Sequence, residues 1–291
     1  MKKITMIILL VGLFLAGIGA SYGCVGSRPL AMGGAFIGLA DDANTTYWNP
    51  AGLAQMDSGG TMGTWMHTSN NRDEINYQDF ASLSACAQMP RLGKLAFGAS
   101  YIREDTALLL GGLRAVNSQN WVWASLAYDA GKFGMVGLNV RKIDDSLPGY
   151  SASTETGLDV GYLYRIDSKL SVGMLVQDIN EPETTITGVG AFNRIQNWRV
   201  GLAYRYRPDI VVTFDGYDLA DNGGACSARF GVEKKFGSMA LRGGYYGLGG
   251  DMDAGPTLGI GMEDRTLSFD AAIMMGDFDN TIMLSGTYKA F

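Results

Sequence analysis

Histidine occurs once in the 291 residues and cysteine three times. A His-dependent hydrolase or metal site would therefore rest on His67 alone, which the pattern below puts at the outer end of a strand as an exposed rim residue. Cys24, Cys86 and Cys226 are too few and too scattered for a disulfide framework or a zinc site, and allow at most one disulfide. Charge is scarce too, at 18% of residues with a net value of −6 and no Lys/Arg cluster. That excludes nucleic acid as a partner, because phosphate binding needs a concentrated basic face. Beyond the N-terminus no apolar run approaches the ~20 residues of a membrane helix. The catalytic motifs fail in turn. Gly19-Ala20-Ser21-Tyr22-Gly23 spells G-x-S-x-G, but no strand leads into it. Gly33-Gly34 is followed by no Lys-Ser/Thr of a phosphate loop. The adjacent acids Asp41/Asp42 and Asp144/Asp145 read as caps or loop solvation. The expectation is no enzyme, no metal and no cofactor.

Glycine, by contrast, is abundant at 41, with 14 Tyr and 5 Trp, the residues that barrel walls and interfacial girdles use. Lys2 and Lys3 precede an apolar run from Ile4 to Ala16, and the small residues Gly17, Gly19, Ala20 and Gly23 follow. These are the three regions of a secretory signal peptide over residues 1–23, with the mature chain starting near 21–24. Cys24 after Ser21-Tyr22-Gly23 faintly matches a lipoprotein cleavage site, with Ser a poor substitute for the usual aliphatic residue.

From residue 93 the chain alternates with the period of strands. Leu158, Val160, Tyr162, Tyr164 and Ile166 oppose Asp159, Gly161, Leu163 and Arg165. Trp198, Val200, Leu202, Tyr204 and Tyr206 oppose Arg199, Gly201, Ala203, Arg205 and Arg207. One face is greasy, the other small or polar. Both a soluble sandwich and a membrane barrel have such faces, so the connections decide. Tight links (90–93, 129–132, 166–169, 207–209, 236–238, 264–265) alternate with longer ones (68–75, 104–118, 144–154, 179–195, 220–224, 248–254, 277–280), as periplasmic turns and extracellular loops do. Strands are expected near 58–68, 76–89, 93–104, 119–130, 132–143, 155–166, 169–178, 196–207, 210–219, 225–236, 239–247, 255–263, 266–276 and 281–290. This predicts an all-β, transmembrane antiparallel barrel of about 14 strands over 57–291. The second strand alternates poorly from Phe80 to Ala87, which leaves twelve strands open.

Residues 24–56 are neither strand-like nor water-loving. They carry Met32-Gly33-Gly34-Ala35-Phe36, Ala40-Asp41-Asp42-Ala43 and Trp48-Asn49-Pro50-Ala51-Gly52-Leu53. Asp41 or Asp42 suits a helix cap, and Asn49-Pro50 an N-cap with Pro at the first helical position. Compact turns of this kind suit a plug inside a barrel. The stretch resembles the N-terminal hatch of the FadL/PorV superfamily of outer-membrane barrels, and looks nearer its PorV/PorQ-like branch. The resemblance covers about thirty residues and assigns Gly33, Gly34, Asp41, Asp42, Asn49, Pro50 and Ala51 to the hatch motif. It implies hatch-gated passive transport of hydrophobic small molecules such as long-chain fatty acids. The alternative is a PorV-like secretion component that binds or shuttles exported proteins.

The implied partners are outer-membrane lipid, a hydrophobic ligand or secreted protein, and the barrel assembly machinery, whose C-terminal signal Gly286, Tyr288 and Phe291 resemble in part. Within the wall, Arg141, Asp159, Arg199, Asp215, Arg229 and Asp270 are expected to face the lumen, with Asp215 opposite Arg229 and Arg141 near Asp159. They form either a polar site for a headgroup or the hatch, or a ladder that stabilises the wall. The apolar stretch Leu108, Leu109, Leu110 and Leu113, in the expected loop 104–118, is a candidate for ligand capture, partner contact or inward packing.

Overall fold

The computed structural model describes residues 25–56, 59–70, 77–89, 95–110, 113–147, 150–187, 190–220, 226–250, 254–277 and 279–289. The signal segment 1–23 and Cys24 lie outside the described residues, as does Phe291. The strands in chain order are β1 (Gly60–Asn70), β2 (Tyr77–Met89), β3 (Leu95–Leu110), β4 (Leu113–Asp129), β5 (Met135–Leu147), β6 (Tyr150–Thr154), β7 (Gly157–Arg165), β8 (Leu170–Gln177), β9 (Glu183–Ile186), β10 (Gly190–Asn193), β11 (Asn197–Arg207), β12 (Ile210–Tyr217), β13 (Ser227–Phe236), β14 (Met239–Leu248), β15 (Gly255–Glu263), β16 (Leu267–Met275) and β17 (Asp279–Lys289). Fourteen of them form an antiparallel ring, and β6, β9 and β10 stand outside it. Pairing of β1 with β17, from Gly60↔Lys289 to Asn70↔Asp279, closes the ring. Closure leaves no open edge in the wall, which hydrocarbon surroundings require of a backbone.

The side chains are distributed in reverse of a soluble sandwich. Leu258, Ile260 and Met262 point outward and are 54%, 55% and 59% exposed, while Asn139, Arg141, Asp159 and Glu233 point inward and are at most 2% exposed. An apolar outside and a polar inside match lipid as the surrounding solvent. The tight links gather at one rim and the longer links at the other. Two of the tight turns use one device: Asp167 accepts the N–H groups of Lys169 and Leu170, and Asp264 those of Thr266 and Leu267. These bonds hold both carboxyls below the ordinary aspartate range.

Three expected loops are partly strand. β3 runs to Leu110 and β4 begins at Leu113, with those residues facing each other, so 104–118 is a prolonged hairpin instead of a free loop. Continuing the ladder pairs backbone groups that a loop would leave to water. The side chains of Leu108, Leu109, Leu110 and Leu113 lie outside the described residues. Within 144–154 and 179–195, β6, β9 and β10 build an arm on β5 through β5–β6, β6–β9 and β9–β10 pairings. Thr184 and Ile186 of the arm are buried, and Arg194 just after it lies over the Trp121 ring, so the arm leans across the loop rim. β2 is a full strand paired on both sides, which gives fourteen wall strands and not twelve.

Residues 25–56 fill the lumen toward the turn rim as the helices Ser27–Ala31 and Thr45–Trp48 and the 3₁₀ helix Pro50–Gln55. Among the described residues no helix is long and apolar enough to cross a membrane. The plug's backbone approaches the wall more closely than a β-carbon would allow. A Cβ at Gly137 (β5) would fall 2.2 Å from Ala51 N and at Gly173 (β8) 2.1 Å from Ile37 O, and at Gly161 (β7) it would meet the Asn49 side chain, 2.3 Å from Oδ1. At Gly201 (β11), Gly231 (β13) and Gly244 (β14) it would lie 2.7, 2.4 and 2.5 Å from plug backbone atoms. A glycine belt on the inner wall is the plug's seat.

Gly137→Val is expected to unseat the plug while the barrel still closes, since overpacking of this kind costs about 1–3 kcal/mol. Heat-modifiable gel mobility should persist, and hydrogen exchange over 49–53 should accelerate. Unchanged protection there would contradict the seat.

Candidate functional site

The plug is built around two tight features. Gly33 and Gly34 both have positive φ, 65° and 71°, and turn the chain from the Ser27–Ala31 helix into Ala35–Ile37. Thr257 of β15 fastens this turn by accepting Gly33 N–H at 3.0 Å and donating to Ala31 O at 3.0 Å. Asn49 is fully buried and holds the second feature. Its Oδ1 accepts Ala51 N–H, which caps the Pro50–Gln55 helix, and its Nδ2 donates to Ile37 O within the plug and to Tyr162 O on the wall. The helix after the cap is 3₁₀. Asp42 Oδ1 accepts Asn44 N–H at the entry to the Thr45–Trp48 helix.

Asp215 ties the plug to β12. Its Oδ2 accepts both Phe36 N–H at 2.6 Å and Ile37 N–H at 2.8 Å. Asp215 is in register with Arg229 across β12–β13, but its carboxylate is directed at the plug. Asp215 therefore holds the hatch, one of the two roles expected of the lumen charges, instead of serving as a rung of a wall ladder.

A chain of charges joins the plug to the neighbouring wall strands β13, β14 and β16. Arg28 bonds Asp41 at 2.6 Å, Asp42 at 3.0 Å and Glu233 at 2.8 Å; Arg242 bonds Glu233 and Asp270, both at 2.7 Å. Burial opposes the charge on Arg28, but Asp41, Glu233 and Asp42 outweigh it and hold its pKa well above the ordinary arginine value. Burial pushes the Asp42 carboxyl up, with Arg28 drawing it back only in part. The hatch-motif acids thus act as acceptors for one guanidinium. Arg28, Glu233 and Arg242 were not singled out from sequence, although Glu233 and Arg242 share inward parity and face each other in the β13–β14 register.

Above the plug, toward the loop rim, the lumen wall divides in two. From β16 round to β5 it carries buried Met274, Met283, Met66, Ile102, Trp121 and Ile143, which share one apolar cluster with the plug's Leu30, Phe36, Tyr47 and Trp48. From β8 to β14 it presents Gln177, Arg199, Tyr217, Arg229 and Tyr246. The Tyr217 ring lies between the guanidinium carbons of Arg199 at 4.0 Å and Arg229 at 3.7 Å, and Arg229 also stacks on Tyr246 at 4.1 Å. Such contacts are worth about 2 kcal/mol when desolvated. Arg199 donates to Asn197 and Gln177, yet its Nη1 finds no acceptor among the described residues although the residue is 3% exposed. Arg141 lies between the two arcs, donating to Asp178 with Asp159 3.6 Å away. Tyr217 and Tyr246 were missed because each sits at a strand end, where alternation is shortest. Among the described residues no three His, Cys, Asp or Glu side chains converge as metal ligands would.

No protein-family model and no curated protein matches the chain. Solved structures do. The monoaromatic hydrocarbon channel CymD is 16% identical, with a TM-score of 0.69 over 92% of this chain and 97% of that one. The toluene transporter TbuX of Ralstonia pickettii is 14% identical, with a TM-score of 0.69 over 91% and 98%. The fold is that of FadL-type outer-membrane barrels. A Pseudomonas aeruginosa FadL homologue is similar at 10% identity, a TM-score of 0.63 and coverage of 88% and 96%. These neighbours give the PorV/PorQ-like branch no support, and they are channels and transporters rather than enzymes.

Asp215→Ala should leave two plug N–H groups without their acceptor, at about 1–3 kcal/mol each. Exchange of the Phe36 and Ile37 amides should then rise by at least about tenfold, a factor worth 1.4 kcal/mol. Unchanged exchange would show that the clasp is not needed.

Proposed function

We propose that this FadL-type barrel sits in the outer membrane with its turn rim in the periplasm and passes hydrophobic small molecules passively, the plug serving as the hatch. The observation that carries this reading is the divided inner wall above the plug, with the Arg199 Nη1 donor left without an acceptor among the described residues. An apolar arc of methionine, isoleucine and tryptophan suits a hydrocarbon body, and the Arg199–Tyr217–Arg229 arc suits an oxygen-bearing end. The neighbours named for toluene and monoaromatic hydrocarbons support the hydrophobic cargo. The unfilled Arg199 donor favours a cargo with an acceptor group, such as a long-chain fatty acid, over a plain hydrocarbon.

In this scheme the cargo lies along the apolar arc with its carboxylate at Arg199. Passage then requires the plug to leave its seat. The polar ties that must break include Asp215 to Phe36 and Ile37, Thr257 to Gly33 and Ala31, Asn49 to Tyr162, and Arg28 to Glu233, and the plug's apolar residues must also part from the wall residues of their shared cluster. Exchange of such bonds for water costs much less than their gross strength, about 0.5–1.5 kcal/mol each and more where a charge takes part. The secretion-component reading draws on the N-terminal motif alone.

Refolded protein in liposomes is expected to take up a fluorescent long-chain fatty acid saturably. Arg199→Gln should raise the half-saturation concentration about tenfold, the value of one charge-assisted hydrogen bond. A folded barrel with no uptake above empty liposomes would count against transport.

A further inference from the structure

The five described tight turns, 129–134, 165–170, 205–210, 234–239 and 263–267, carry eight Lys/Arg against five Asp/Glu, in a chain whose net charge is −6. Positive charge therefore collects at one rim of the barrel. Several of the acids there are engaged by their own turns, Asp129 by Gly131 N–H and Asp264 by those of Thr266 and Leu267. The cations lean toward aromatic rings instead. Lys132 lies 5.0 Å from the Phe133 ring, Arg207 5.5 Å from Tyr206 and Lys234 5.3 Å from Phe236, and all three rings are exposed.

Arg207 reaches the outer wall through a bulge. Strict alternation along β11 puts it on the lumen face with Arg205, but the register with β12 slips between them, from Arg205↔Val211 to Arg207↔Ile210. Tyr206 and Arg207 together then oppose Ile210, and a bulge of this form re-aims a side chain. Val211 is buried within the barrel, whereas Ile210 shares the outward parity of Val212 and Phe214, so Arg207 turns outward over Tyr206. Ile210 in turn faces Lys234 of β13, which also has outward parity. Arg207 and Lys234 thus flank Ile210 on one row, about 10 Å apart at two strand spacings. Asp209 pairs with Lys234, and among the described residues no acid pairs with Arg207. The next rows toward the loop rim are Tyr204, Val212 and Val232, then Leu202, Phe214 and Phe230, all exposed on the outer wall. A cationic row bordering an apolar sheet is the complement of an anionic lipid.

We propose that Arg207 and Lys234, with the rings of Tyr206 and Phe236, form a binding site for the phosphate headgroup of an anionic phospholipid in the leaflet at the turn rim, with its acyl chains along the outer face of β11–β13. The site rests on the membrane placement in the reading above and is independent of what the barrel transports. Arg207 offers paired N–H donors to the phosphate, and Lys234 adds a point charge. Two cations and one acid leave the site one positive charge, which suits a lipid with one negative charge. The field of the whole rim has the same sign and draws such lipids toward it. An acidic soluble protein fits less well, because these cations sit over outward rings at the border of the apolar belt and not at the open mouth of the barrel.

The test uses Phe236→Trp, which keeps a ring beside Lys234, as a local reporter in phosphatidylcholine vesicles. Either phosphatidylglycerol or phosphatidylcholine brominated near the headgroup is added as quencher, and the emission of the five native tryptophans is subtracted using the parent protein. Half-maximal quenching should need about fivefold less of the brominated phosphatidylglycerol, the size expected of one cation at a charged membrane surface. Adding Arg207→Gln/Lys234→Gln should bring the two lipids within about twofold, and Arg207→Lys should keep most of the preference, each in a barrel shown to be closed by heat-modifiable gel mobility. Equal quenching by both lipids in the reporter protein, or a preference that survives the loss of both cations, overturns the site and leaves an acidic protein as the partner of this rim. No quenching by either lipid overturns the membrane placement, and the site with it.

Discussion

The plug's backbone touches the wall's backbone, and most of the molecule is arranged around that contact. It exists because six neighbouring inward positions are glycine, where any β-carbon would collide with plug atoms. The contact sets the height of residues 25–56 in the lumen. From that height follow the reach of Asp215 to the Phe36 and Ile37 amides, of Asn49 to Tyr162, and of Arg28 to Glu233. Toward the loop rim the inner wall then carries an apolar and a cationic arc, and toward the turn rim it is lined with charge.

The plug is held by polar ties and by an apolar cluster that it shares with the wall. A plug held to the wall by large interlocked apolar side chains would lose burial all along its path, at about 25 cal/mol per Å². Here Leu30, Phe36, Tyr47 and Trp48 are buried in one cluster with the wall's Met66, Ile102, Trp123 and Met283, with Tyr47 edge-on to Trp123 at 5.9 Å, so part of that burial is given up whenever the plug moves. The Arg28 cluster specifies position more than it adds stability, because buried ion pairs must first offset the cost of leaving water.

The wall was legible because a barrel strand states its faces every second residue, and turns such as Asp167–Lys169 announce themselves by composition. Signals weakened where these rules lapse. The arm was hidden because β9 and β10 have four residues each, too few for an alternation to emerge from a polar loop. Leu108 to Leu113 read as a loop because apolar residues on both faces erase the period. The lumen charges had the right parity, but register alone could not say that Asp215 serves the plug or that Arg229 stacks between Tyr217 and Tyr246, since both depend on what fills the lumen. The hatch motif pointed to Asp41, Asp42 and Asn49, and its Arg28 passed unnoticed because its main wall partner, Glu233, lies 205 positions away. Glycines at inward parity on adjacent strands were a readable sign of the seat.

The central claim is that cargo passes only when the plug leaves this seat. Ser27 Oγ of the plug and Ser285 Oγ of β17 are 2.9 Å apart, close enough for a Ser27→Cys/Ser285→Cys pair to be joined in a background where Cys24, Cys86 and Cys226 are serine. Fatty-acid uptake by this variant in proteoliposomes, oxidised and then reduced, is the direct measurement. The account predicts that oxidation stops uptake and that reduction restores it. Full uptake through a quantitatively cross-linked barrel would contradict it.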